Sequence, residues 1–244
     1  MSRLITLMSC QWADMELEEL FCKAKAMGYD GVELACWGSH LDPKRAALDD
    51  AYVAEVKALL AKYDLKCVAL CAHIIGQCVG DYNDPRLNNF APPQLADQPD
   101  AIRAWAVETM KYCAIAAKRM NCYVVTGFTG SPIWKYLYSF PQTTEEMITA
   151  GYQEIYDLWV PILDVFKENG IRFALEVHPE PSDLAGNKAR AVFAGFYRPC
   201  VPCSYERRSG DFRRPERAVR LLYRLRRPEK RLELPLSWAR GRGF

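Results

Sequence analysis

Five times in residues 1–180 the chain passes through a short run rich in apolar side chains, and a longer, more polar stretch separates each run from the next. The runs are LITLMSC (4–10), GVELAC (31–36), KCVALCAHI (66–74), CYVVTGFTG (122–130) and IRFALEVHPE (171–180). Near-continuous apolar runs of this length read as strands buried on both faces. The stretches between them read as helices. Residues 14–28 carry Met15, Leu17, Leu20, Phe21 and Ala24 at helical spacing and stop at Gly28. Residues 49–64 open on Asp49 and Asp50, either of which can cap a helix. Residues 100–121 form a long helical pattern, and 143–170 begin on threonine with glutamates in the first turn and end at Gly170. Between 74 and 100 the spacing predicts a long polar loop broken by Pro85, Pro92, Pro93 and Pro99. Strands alternating with amphipathic helices imply a parallel sheet covered by helices, the α/β class. Two closures satisfy that pattern, an open doubly wound sheet and an eight-stranded barrel. No G-x-G-x-x-G follows the first run, which argues against a dinucleotide site. Five units in 180 residues suit a (β/α)8 barrel of about 250 residues.

The pattern breaks after residue 180. Residues 1–180 hold 16 Lys and Arg against 24 Asp and Glu, whereas residues 181–244 hold 16 against 6. Fourteen of the later sixteen basic residues are arginine, and no histidine follows His178. A short basic helix fits 216–226, between Pro215 and Pro228, but the sixth, seventh and eighth strands of a barrel are not readable. The expected organisation is therefore five βα units over 1–180 and an atypical, poorly ordered Arg-rich tail over 181–244. Two explanations of the tail stand side by side. One is a shifted reading frame near codon 180; the other is a genuine, divergent end to an incomplete barrel.

Ten cysteines are many for 244 residues, but only Cys200 and Cys203 form a C-x-x-C pair and nothing repeats it at zinc-site spacing. Cys10, Cys36, Cys67, Cys71, Cys113 and Cys122 lie in apolar runs, where reduced, buried thiols are expected. The N-terminal MSRLITLMSCQW lacks the length and cleavage site of a signal peptide, and no apolar run reaches the ~18 residues of a membrane span. A soluble cytoplasmic protein is the expectation.

In parallel α/β folds, sites gather at the C-terminal ends of the strands. His40 follows the second run, His73 ends the third, and His178 ends the fifth. Glu33 lies inside the second run and Glu176 inside the fifth. A buried, uncompensated carboxylate costs several kcal/mol, so Glu176 needs a divalent cation or a His/Arg network beside it. Gly127, Thr129 and Ser131 follow the fourth run. The segment 75–86 reads as a lid on the substrate side, and the aromatic SPIWKYLYSF (131–140) either walls the site mouth or packs on the next helix.

GVELACWGSHLD, LKCVALCAHIIGQCVGD, VVTGFTGSPIWKYLYSFP and WVPILDVFKENGIRFALEVHP together resemble the xylose isomerase-like TIM barrel family, and most of all its sugar phosphate isomerases and epimerases. The likeness runs in order over about residues 3–180. It implies a (β/α)8 barrel, a divalent cation (Mn2+, Mg2+, Co2+ or Zn2+), and proton transfer next to a carbonyl of a sugar or sugar phosphate. Glu176 matches the metal-binding glutamate of the family's fifth strand, and either Glu176 or the family's strand-eight glutamate, not found here, would be the catalytic carboxylate that moves the proton. His73 matches a histidine of the third strand that lines the sugar site, and His178, Glu33 and His40 would line the same mouth. The family's Asp-x-Ser-His-like and His-x-x-Lys-Asp-like motifs do not follow Glu180, so this chain would lack three of four ligands and could be inactive. A dehydratase, an abasic-site endonuclease and a non-catalytic barrel portion are the alternatives. The acidic balance of residues 1–180 speaks against nucleic acid. The expected partner is a small sugar, with no membrane, and a homo-oligomer is compatible.

Overall fold

The computed structural model describes residues 3–136 and 140–176. Five strands, β1 (Thr6–Met8), β2 (Gly31–Ala35), β3 (Lys66–Cys71), β4 (Val124–Gly127) and β5 (Arg172–Leu175), pair in parallel. Their order in the sheet is their order in the chain. A doubly wound sheet reverses direction part-way, whereas a barrel adds each strand beside the last. The unreversed order therefore selects the barrel type over the open sheet. Six helices accompany the strands among the described residues: α1 (Leu17–Ala26), α2 (Pro43–Leu48), α3 (Asp50–Lys62), α4 (His73–Gly80), α5 (Pro99–Arg119) and α6 (Glu145–Glu168).

Local chemistry starts several of these helices. The Asp49 carboxylate accepts from the amides of Ala51 and Tyr52 at 2.9 and 3.1 Å, which caps α3. The Thr144 hydroxyl accepts from Met147 N at 3.3 Å, and Glu145 and Glu146 lie at the positive end of the α6 dipole. Asp42 caps α2 through the Arg45 amide, with Pro43 as its first residue. That six-residue helix is not predicted by periodicity, since it is too short to show one.

Register sorts the side chains onto two faces. Leu34, Leu70, Val125 and Phe173 stand opposite one another across β2 to β5. Phe173 rests on Trp159 and Phe166 of α6, with ring centroids 4.8 and 5.8 Å away, so this row faces the helices. Beside it run Ala35, Cys71, Thr126 and Ala174, on the opposite face because successive side chains alternate. Small and polar residues thus line the inside, and the apolar rows meet Phe21 of α1, Val56 of α3, Met110 of α5 and Ile162 of α6 in one contiguous core. Full burial of each large apolar side chain stabilises the fold by about 1.5–3 kcal/mol.

The region predicted as a long loop is the main departure. Residues 73–80 form α4, and seven of its eight residues are buried. HIIGQCVG has no charged face, so it carries no helical period and merges with the apolar run before it. A buried helix also excludes the expected lid for its first six positions, 75–80; Pro85–Asn89 and Pro93–Leu95 beyond it are short 3-10 turns. Helix α4 lies against the loop after β4. A Cβ on Gly76 would fall 2.0 Å from the Phe128 carbonyl oxygen, and one on Gly80 2.5 Å from that of Thr129. Only glycine permits so close an approach. In the same loop Ile133 meets Gly151 of α6, which favours packing on the next helix for the start of 131–140; residues 137–139 lie outside the described residues. The strands themselves are shorter than their apolar runs, because the ends bend into turns: Ser9–Trp12 is a 3-10 turn rather than strand. The expected boundary at residue 180 and the tail lie outside the described residues.

Candidate functional site

The carboxylates Glu33 and Glu176 lie on the inner face of the sheet, Glu33 within β2 and Glu176 at the C-terminal end of β5. Glu33 sits mid-strand in β2, where the pairing with β3 slips by one residue between Val32 and Glu33. Such bulges re-aim a side chain. The Glu33 carboxylate accepts a short hydrogen bond from the Thr126 hydroxyl of β4. β2 and β4 are alternate strands, whose inward side chains share a layer in a barrel.

Glu176 directly follows β5, and its amide continues the ladder by donating to the Gly127 carbonyl at 3.0 Å. It was expected as a buried carboxylate; instead its side chain is 54% exposed, because the strand ends one residue earlier. The partner that its chemistry demanded is present. His73 Nε2 lies 2.9 Å from Glu176 Oε2, and the imidazole itself is 7% exposed. His73 does not end a strand: β3 stops at Cys71, and His73 is the first residue of α4. Its Nδ1 lies 2.8 Å from Cys71 Sγ. The Phe128 ring meets the imidazole edge-on, 4.5 Å between centroids. Burial holds the Cys71 thiol well above the ordinary thiol range, with the backbone beside His73 opposing and Glu33 adding to the rise. Cys10 is raised for the same two reasons, burial first and then the Glu33 charge.

The remaining histidine in the described residues stands elsewhere. His40 is buried, and its Nδ1 lies 2.9 Å from the Ser9 hydroxyl, which also accepts from Ala35 N at 2.9 Å. Burial lowers its pKa, against the backbone of Met15 and Trp12. His40 shares no hydrogen bond with the Glu176–His73 pair; it ties the turn after β1 to the end of β2. His178 lies outside the described residues.

Sequence reasoning missed Cys71, Thr126 and Phe128. Each becomes a neighbour of the site only through register and through the approach of α4 to the loop after β4, neither of which a one-dimensional pattern carries. Asp81, at the end of α4, holds that loop by accepting from Ser131 N at 2.7 Å and Gln77 Nε2 at 2.6 Å.

These groups do not compose a cation site. Among the described residues no three His, Cys, Asp or Glu side chains are grouped to hold a metal ion, and the Glu176 carboxylate is engaged by His73. What the arrangement offers is a half-exposed carboxylate, backed by an imidazole, at the open end of a parallel sheet.

The apo structure of a 3-keto-D-glucoside 4-epimerase from E. coli is similar at 17% identity and a TM-score of 0.51, over 80% of this chain and 64% of that one. A D-allulose 3-epimerase from Methylomonas sp. is similar at 17% identity and 0.49, over 80% and 60%. A probable 3-DHS dehydratase from Bacillus anthracis follows at 15% and 0.48, over 81% and 60%. This chain spans less than two thirds of the length of these proteins. No curated protein sequence matches it. The family model for the xylose isomerase-like TIM barrel matches residues 21–194, well over half of the 244 residues. The chain belongs to the xylose isomerase-like TIM barrel family.

Proposed function

We propose that the complete site served by this fold isomerises or epimerises a sugar or sugar phosphate by moving a proton on the carbon next to its carbonyl. The observation that carries this reading is the Glu176–His73 pair, 2.9 Å apart at the mouth of the inner face. Glu176 is the base. Its carboxylate is exposed enough to reach a substrate, and His73 steadies it without burying it. The proton leaves the substrate carbon for Glu176 and an enediolate remains; protonation of the former carbonyl carbon, with the hydroxyl proton passing to the neighbouring oxygen, gives the isomer, and protonation of the original carbon on its other face gives the epimer. His73 donates from Nε2 to Glu176 and orients the carboxylate that meets the substrate. Glu33, once freed from the Thr126 hydroxyl, accepts from a substrate hydroxyl. His40 holds the first loop in place from behind, and His178 is assigned to the same mouth by resemblance alone. The family resemblance adds a divalent cation (Mn2+, Mg2+, Co2+ or Zn2+), which would polarise the carbonyl; since the described residues do not form its site, no step above passes through it. The 3-keto-D-glucoside 4-epimerase among the similar structures supports this class of reaction.

Deuterium exchange tests it. The full chain is incubated with ketohexoses and their phosphates in D2O, with and without each cation, and the carbon-bound hydrogen next to the carbonyl is followed by NMR. Exchange that falls by about 100-fold or more in Glu176→Gln is the expected result, the usual contribution of a general base. Wild-type chain that exchanges no hydrogen under any of these conditions overturns the reading for this chain and leaves the non-catalytic barrel portion.

A further inference from the structure

Three side chains from three elements form a chain of contacts: the Cys71 thiol at the end of β3, the His73 imidazole at the start of α4, and the Glu176 carboxylate after β5. The two links measure 2.8 Å, Sγ to Nδ1, and 2.9 Å, Nε2 to Oε2. A neutral imidazole carries one N–H, and an ionised carboxylate only accepts. The hydrogen between His73 and Glu176 therefore sits on Nε2. That leaves Nδ1 with a lone pair, and the group that faces it is Cys71. A thiol can fill the place only as a donor. We propose that Cys71 is a positioning residue: its S–H donates to Nδ1 of His73 and thereby keeps the ring proton on Nε2, facing Glu176.

Three further observations fit. Cys71 is fully buried, and burial disfavours the thiolate, so the S–H needed as a donor is kept. Phe128 lies edge-on to the ring, with planes 78° apart, and packs against it, which opposes a flip that would put ring carbons where the two nitrogens stand. Gly76, one turn along α4, presses the helix against the Phe128 carbonyl and so fixes the distance between ring and backbone. The inference rests on the reading of Glu176 and His73 as the proton-handling pair, but its subject is the tautomer of the resting ring, which needs no substrate.

The experiment is long-range 1H–15N correlation on full-length chain labelled with 15N-histidine. With three histidines in the sequence, His73→Gln assigns the signals by the one it removes. Wild type is expected to show His73 as a single Nε2–H tautomer. Cys71→Ser, which keeps a donor, is expected to retain that pattern. Cys71→Ala is expected to lose it, with both ring nitrogens moving to averaged shifts. Cys78→Ala removes another buried thiol from α4 and is expected to leave the His73 signals unchanged, which separates a cavity from a lost donor. A wild-type ring protonated on Nδ1, or a Cys71→Ala ring still wholly Nε2–H, overturns the proposal. If Cys71→Ala does not fold, loss of the Nε2–H pattern in Cys71→Ser overturns it instead, because the donor is still there. Failure of the exchange assay with a wild-type Nε2–H ring would overturn the reaction while leaving the tautomer assignment intact.

Discussion

Trp159 shows how much of this fold rests on single side chains. It is fully buried in α6, stacks on Phe173 of β5, and donates its Nε1–H to the Thr129 carbonyl at 3.1 Å. One residue thus joins a helix, a strand and the loop beside the candidate site. Trp159→Ala loses packing and the hydrogen bond to Thr129, and is expected to cost about 3–5 kcal/mol, read from urea melts. His40 gives a prediction of sign. Its folded pKa lies below the ordinary 6.5 because of burial, so the unfolded chain binds a proton more readily. Above pH 6.5 both states hold it neutral and it has no effect. As pH falls below 6.5 the unfolded state gains the proton first, and stability is lost towards the folded pKa. His40→Asn is expected to flatten the difference between melts at pH 7.5 and 5.5; an unchanged difference would assign that pH dependence to other groups.

At the scale of elements, the helices divide by where their information lies. α3 and α6 are written locally: Asp49 and Thr144 cap them, and apolar residues recur at helical spacing. Asp49→Ala is expected to cost about 1 kcal/mol and to fray the start of α3, visible in amide exchange. α4 is written by its surroundings. Its sequence is apolar or small almost throughout, and its place depends on glycines that let it touch the β4 loop. Gly76→Ala is favourable for a helix in isolation, yet here the added methyl meets backbone at 2.0 Å. It is expected to destabilise the chain and to broaden the His73 signals in the same NMR experiment. If Gly76→Ala instead raised the melting temperature, the close approach of α4 would be wrong.

For the whole molecule, the decisive fact is the strand order β1 to β5 without reversal. It gives an inner face of small and polar side chains and an outer face that shares one core with the helices. A contiguous core of this kind predicts one cooperative transition when the full chain is melted and followed by far-UV circular dichroism. A gradual, featureless melt would mean that the five units do not hold together. No helix among the described residues is long and apolar enough to cross a membrane.

By itself the sequence determined the five strands, the main helices, the α/β class and the family, because each is carried by short-range pattern: apolar runs, 3.6-residue spacing, capping side chains and motifs in order. It also singled out Glu33 within a strand and His73 and Glu176 near strand ends, since a charge or an imidazole inside an apolar run is conspicuous wherever the run folds. The pace of the units and the motifs already pointed to the barrel over the open sheet, but only the tertiary structure supplied the unreversed strand order, because both closures are made from the same units and differ in which strands pair. It alone made 73–80 a helix, whose apolar surface looks like strand until a neighbour is there to bury it. And it alone separated His40 from His73: both follow strand ends in the sequence, but register across the sheet carries one to Ser9 and the other, 103 residues from its partner, to Glu176.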